Sequence, residues 1–168
     1  MIQVYTGSGK GKTTAAMGLA FRALGQGKRV LLIQFLKKNS SGELKAARRF
    51  SKFSFLQCGR RAWVRKGAHT AQDKRCAQRG LSLAQEALGC NKFDLVILDE
   101  INVALHLQLL ACAAVKKILR QAPRKVEIIL TGRQAPGEII KVADLVSKVQ
   151  EIKHYYKQGK GPRKGIEF

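Results

Sequence analysis

Thr6-Gly7-Ser8-Gly9-Lys10-Gly11-Lys12-Thr13-Thr14 follows a short apolar run, Ile2-Gln3-Val4-Tyr5, and precedes Ala15-Ala16-Met17-Gly18-Leu19-Ala20-Phe21. The order is strand, Gly-rich turn, Lys-Thr, helix. That is the context of a phosphate-binding loop. Glycines let backbone N–H groups turn inward around an anion, and the N-terminus of the following helix adds partial positive charge. Lys12 supplies a mobile ammonium for phosphate oxygens. Thr13 supplies a hydroxyl suited to Mg²⁺. Gly7, Ser8, Gly9, Lys10, Gly11, Lys12, Thr13 and Thr14 are therefore the candidate nucleotide-binding residues.

The usual pattern is G-x-x-x-x-G-K-[ST]. Thr6 stands where its first glycine belongs, and the glycines fall at 7, 9 and 11. A Gly-rich turn with two lysines by chance is the bland alternative; the flanking strand, helix and Lys-Thr pair argue against it. The shifted glycines predict a nucleotide held differently from that of an ordinary ATPase.

Outward from the loop, apolar runs alternate with helical patterns. Arg29–Phe35 reads as a buried strand, Glu43–Phe50 as a short helix and Phe53–Leu56 as a third strand. A basic, irregular loop spans 58–70 and holds the only tryptophan, Trp63. A helix is expected from Ala71 to Leu88, then a strand from Phe93 to Glu100. Helices near 101–110 and 112–121, a strand Val126–Thr131, a helix Glu138–Val142 and a strand Leu145–Val149 complete the pattern. Strands alternating with helices predict an α/β fold, a mainly parallel sheet with helices on both faces. No linker or internal repeat divides the 168 residues, so residues 1–168 are expected to form one domain.

Composition narrows the partners. The chain is 45% apolar, enough for a substantial core, and carries a formal charge of +21. Such charge implies anionic partners: nucleotide phosphates, nucleic acid, an acidic protein or a membrane surface. The basic residues are spread along the chain, so a solvated lysine-rich surface is an equally open reading. With 7% aromatics, no single-strand stacking platform is visible. Cys58, Cys76, Cys90 and Cys112 form no C-x-x-C pair, which argues against zinc. With no signal peptide and no long apolar run, they are expected as free thiols in a reducing cytoplasm, and no membrane span is expected.

In parallel sheets, ligands bind beyond the carboxyl ends of the strands. Two further clusters fall there. Asp99-Glu100 follows Leu95-Val96-Ile97-Leu98, an arrangement that holds Mg²⁺ or Mn²⁺ beside Thr13. An acidic helix cap is the alternative. Arg133 follows Thr131-Gly132 and is a candidate phosphate ligand. Arg22, on the first helix, either meets the nucleotide or faces solvent. His69, His106 and His154 are scattered and carry no assignment.

Together these residues resemble the P-loop-type ATP:corrinoid adenosyltransferases of cobalamin biosynthesis and salvage. The loop is similar to that family's G-N-G-K-G-K-T-T, with Ser8 for Asn. Gln34-Phe35-Leu36-Lys37 through Gly42-Glu43 resembles its Q-F-x-K…G-E. Leu95 through Asn102 resembles its L-V-x-L-D-E-[IL]-[NT]. Thr131-Gly132-Arg133, Ala143-Asp144-Leu145-Val146, Ile152-Lys153-His154 and the ending Lys164-Gly165-Ile166-Glu167-Phe168 match as well. The resemblance runs the length of the chain.

The resemblance implies the P-loop NTPase (RecA-like) fold. It implies transfer of the 5′-deoxyadenosyl group of ATP to Co(I) of a reduced corrinoid, with release of triphosphate. Lys12 and Arg133 would stabilise the departing triphosphate. Thr13 and Glu100 would carry the metal, with Asp99 second in line. An electron-donating flavoprotein is implied as partner, and a homodimer is compatible with the resemblance. Trp63 matches the tryptophan of the family's G-F-x-W segment, assigned to the corrinoid. Arg61 replaces the Phe, which puts displacement of the lower cobalt ligand in doubt.

The main rival is a basic P-loop ATPase stimulated by nucleic acid, which the charge fits but the short chain does not. A small-metabolite kinase would keep the first glycine and need an acceptor base. A non-catalytic basic module would not need Lys12, Thr13, Asp99 and Glu100 together.

Overall fold

A computed structural model of the chain describes residues 1–38, 41–60, 67 and 69–166. Its elements in chain order are β1 (Ile2–Thr6), α1 (Lys12–Gly25), β2 (Val30–Phe35), α2 (Gly42–Ala47), β3 (Phe53–Cys58), α3 (Ala71–Gly89) and β4 (Leu95–Asp99). There follow α4 (Ile101–His106), α5 (Cys112–Gln121), β5 (Glu127–Thr131), α6 (Gly137–Ile140), β6 (Leu145–Lys148) and a 3₁₀ turn at Tyr155–Gln158. The strands form one six-stranded sheet in the order β3-β2-β4-β5-β1-β6. Every pairing is parallel.

Alternation along the strands builds two layers of core. Val30, Leu32, Leu95, Ile97 and Ile129 point to one face and pack on Ala16, Met17, Ala20 and Leu24 of α1 and Leu44 of α2. Leu31, Ile33, Phe35, Val96, Leu98, Ile128 and Leu130 point to the other, against α3, α4, α5 and α6. Strands buried on both faces read as near-continuous apolar runs, and β2 and β4 are apolar except for Gln34 and Asp99 towards their carboxyl ends. Burying one Leu or Ile fully contributes roughly 1.5–3 kcal/mol, so these central strands fix the frame. The edge strand β6 is exposed along its whole length.

A sheet with all strands parallel gathers every strand's carboxyl end on one rim. Thr6, Phe35, Cys58, Asp99, Thr131 and Lys148 end their strands there. Register sharpens this: Gln57 lies beside Gln34, and Gln34 beside Asp99, in a single row across β3, β2 and β4. The parallel α/β architecture expected from the alternation is present, with element ends shifted by a few residues. The free-thiol expectation also agrees, since all four cysteines are unpaired. No helix among the described residues is long and apolar enough to cross a membrane.

Candidate active site

The loop between β1 and α1 is built by close packing against the segment after β6. Gly7 has φ +102°, and a Cβ there would lie 2.3 Å from the Val149 carbonyl oxygen. Only glycine tolerates both the backbone conformation and that approach. The Gly9 N–H donates to the Val149 carbonyl at 2.9 Å. Thr6 ends β1 as a strand residue. Its hydroxyl accepts the Ala135 N–H at 3.1 Å, and its carbonyl accepts the Val149 N–H at 2.8 Å. The residue that breaks the usual loop pattern therefore ties the loop to the segments after β5 and β6.

α1 starts at Lys12 with no side-chain cap and no acidic residue in its first turn. Its first N–H groups keep the partial positive charge that favours an anion. Lys12 is buried and folds back to donate to the Gly9 carbonyl at 2.5 Å. Burial first, then the nearby Arg133 charge, lower its pKa, against the pull of Glu100 and Asp99. Ser8, Lys10 and Thr14 are exposed around the rim. Lys10 donates to the Tyr155 hydroxyl at 3.0 Å and to the Ile166 carbonyl at 3.3 Å, so the C-terminal segment lies against the loop.

Asp99 is the hub. It is fully buried, and both oxygens are engaged. Oδ1 accepts from the Thr13 hydroxyl at 2.7 Å and the Thr131 hydroxyl at 2.6 Å. Oδ2 accepts from the Gln34 amide at 3.0 Å and the Lys37 ammonium at 2.8 Å. Gln57 in turn donates to Gln34 Oε1 at 3.0 Å. Burial would raise the Asp99 pKa, but Lys37 and these hydrogen bonds outweigh it and hold the carboxylate below its usual range.

Glu100 adopts φ +63°, strained for a non-glycine, and its N–H donates to Thr131 Oγ1 at 3.0 Å. Its carboxylate does not cap α4, so the helix-cap alternative is not realised. Burial raises its pKa, Lys37 pulls it down, and Asp99 pushes it up again, leaving it raised.

The donor set fits Mg²⁺, which takes one or two carboxylates and substrate phosphates rather than a closed protein cage. Thr13 gives its proton to Asp99, which leaves its oxygen lone pairs for a cation. Asp99 has its acceptor positions filled, and Glu100 has capacity left. Thr13 and Glu100 fit as direct ligands, with Asp99 behind them. Among the described residues, no group of three or more His, Cys, Asp or Glu gathers into a dedicated metal cluster.

The Thr13–Asp99 hydrogen bond thus joins the loop to the acidic strand end. The model of the ATP:corrinoid adenosyltransferase BtuR/CobO/CobP family matches residues 1–168. The chain belongs to this family. A corrinoid adenosyltransferase of Sinorhizobium sp is 33% identical over 172 residues, covering 100% of this chain and 80% of that protein. Another, from Escherichia coli, is 32% identical over 170 residues, covering 100% and 85%. A Nostoc sp. protein, named only as uncharacterized, is 36% identical over 180 residues; 99% of this chain aligns with 48% of that protein, so the chain spans about half its length.

In this adenosyltransferase-family site, the structure brings Lys12, Thr13, Asp99 and Glu100 together, with Arg133 close enough to act on Lys12. It does not bring in Arg22, which is exposed in the last turn of α1, ten residues or roughly 15 Å along the helix axis from Lys12. Trp63 and Arg61 lie outside the described residues. Sequence reasoning gave no role to Gln34, Lys37 or Thr131. A lone glutamine in an otherwise apolar strand was the available signal for the first. Asn102, which ends the matched acidic motif but carried no role of its own, is buried, donates to the Gly132 carbonyl at 3.4 Å, and thereby braces the turn that presents Arg133.

Proposed function

We propose that this chain transfers the 5′-deoxyadenosyl group of ATP to Co(I) of a reduced corrinoid and releases triphosphate. The observation that carries the reading is the Thr13–Asp99 hydrogen bond, which unites the phosphate loop with the acidic strand end in a chain of this family. The cobalt electron pair attacks the ribose 5′-carbon. The bond from that carbon to the triphosphate oxygen breaks, its electron pair leaves with triphosphate, and cobalt goes from Co(I) to Co(III). The substrate supplies the nucleophile, so no protein nucleophile is needed.

The protein's task is to hold ATP and to stabilise charge on the leaving group. Lys12, the loop N–H groups and Arg133 receive the triphosphate. Thr13 and Glu100 hold a divalent metal, which when bound neutralises phosphate charge. Asp99 fixes the Thr13 hydroxyl. Residues 1–168 act as one nucleotide-binding domain in the cytoplasm, with an acidic electron-donating flavoprotein as partner. The basic surface also suits the rival reading, an ATPase stimulated by nucleic acid.

The test is incubation with ATP, Mg²⁺ and chemically reduced corrinoid. The expected result is the cobalt–carbon absorption spectrum together with triphosphate. Lys12→Ala should lose both while keeping the wild-type circular dichroism. A charge-assisted contact of this kind is worth about 1.5–3 kcal/mol in binding alone. Release of inorganic phosphate, or hydrolysis stimulated by DNA or RNA, would instead establish the rival.

A further inference from the structure

Lys37 has no part in the chemistry above, yet its ammonium sits inside the carboxylate pair. It lies 2.8 Å from Asp99 Oδ2 and 3.5 Å from Glu100 Oε1. The turn that delivers it is tightly specified. Leu36, just before it, has φ +61°, a strained value for a branched residue. Gly59, after β3, packs so closely that a Cβ there would lie 2.3 Å from the Lys37 N and 2.4 Å from the Leu36 carbonyl carbon. The backbone is clamped on both sides, while the side chain stays 37% exposed on a flexible stem. Such a residue can keep its place and move its charge.

We propose that Lys37 is a tethered cation of the metal site. It occupies the Asp99–Glu100 pair when no nucleotide is bound, and it transfers to a phosphate oxygen when metal and ATP arrive together. Two carboxylates facing one ammonium leave a single negative charge. A free divalent ion would have to approach that ammonium at a few ångströms, which is strongly unfavourable in a partly buried site. Triphosphate brings the negative charge that gives the ammonium a new partner and leaves the carboxylate to the metal. Metal therefore loads with nucleotide and not before it. Lys12 is pinned on the Gly9 carbonyl and Lys10 on Tyr155 and the Ile166 carbonyl, and among the described residues neither Lys12 nor Arg133, beyond β5, makes a hydrogen bond or ion pair to the carboxylates.

The inference rests on the assignment of Thr13, Asp99 and Glu100 to metal and nucleotide. Its readouts are separate from adenosyl transfer, which tests that assignment alone. The first is Mn²⁺ binding to nucleotide-free protein, followed by the electron paramagnetic resonance of free Mn²⁺. Lys37→Met should bind Mn²⁺ at least about tenfold more tightly than wild type, and Lys37→Arg should stay weak. Equal affinity in wild type and Lys37→Met overturns the proposal. Because Lys37→Met leaves Asp99 buried without its cation, a second readout uses the intact chain. In ¹⁵N-lysine-labelled protein, the Lys37 ammonium signal, assigned by its loss in Lys37→Arg, should stay fixed with Mg²⁺ alone and shift with Mg²⁺ and ATP. A shift with Mg²⁺ alone overturns the proposal.

Discussion

The side chains around Asp99 divide into those whose spacing announces them and those whose role depends on a neighbouring strand. Lys12 and Thr13 belong to the first kind, because a phosphate loop needs them at fixed positions after its glycines. Gln34, Lys37 and Thr131 belong to the second. They reach Asp99 across 65, 62 and 32 residues of chain, and only the sheet order makes them neighbours. Motif resemblance marks the segments they lie in, but nothing in their spacing says that they converge on Asp99. The division of labour between Thr13, Asp99 and Glu100 leads to a prediction at this scale. Thr13→Ala and Glu100→Ala should each raise the Mg²⁺ or Mn²⁺ concentration at half-maximal activity by roughly tenfold or more, the effect of losing about 1.4 kcal/mol of binding. Titration of turnover against metal measures this. An unchanged midpoint in both variants removes the metal role.

At the scale of elements, the start of α3 is held by its own cap and by a residue just after β3. Thr70 accepts the Asp73 N–H at 3.3 Å, and the Thr70 N–H donates to Asp73 Oδ2 at 2.8 Å, a reciprocal cap. Arg60 grips the same carboxylate in a fork, at 2.7 and 2.9 Å. Arg60, just after β3, is therefore tied to the first turn of α3. These bonds, the Arg60 hydrogen bond first, lower the Asp73 pKa to about 2. A depressed carboxylate pKa means stability that is present above the unfolded value, near 4, and lost as pH falls toward 2. Thr70→Ala should cost about 1 kcal/mol in urea unfolding at neutral pH. Asp73→Asn should flatten the loss of stability between about pH 4 and 2. An Asp73→Asn acid profile that overlays wild type would show that the cap does not couple to folding. Element boundaries were less legible than their order. The helix expected to reach residue 110 stops at His106, with Gln108 at φ +58°. Leu107, Leu109 and Leu110 stay buried beyond it, so the apolar signal continues after the helix has ended.

For the molecule as a whole, the parallel sheet and its functional rim follow from alternating strands and helices, while the use of the charge does not. Coulomb attraction has no sequence period, so +21 names a class of partner and no single one. The arrangement of the few anions is informative. Asp73, Asp94, Asp99, Glu138 and Glu151 are already paired with Arg60, Arg29, Lys37, Lys116 and Lys157. The chain has 32 basic residues against 11 acidic ones, so most cations are left for anions outside the protein. If an acidic flavoprotein supplies the electron, charge steers that encounter, and screening weakens it once the Debye length falls to about 10 Å near 0.1 M salt. Reductant-coupled turnover should then fall steeply as ionic strength rises from 0.01 to about 0.2 M, by roughly tenfold or more. Turnover with chemically reduced corrinoid should fall much less, because only ATP capture remains sensitive. An equal fall in both assays would place the charge at the nucleotide and not at a protein donor. The comparison separates the two uses because both assays share ATP, metal and corrinoid and differ only in where the electron comes from.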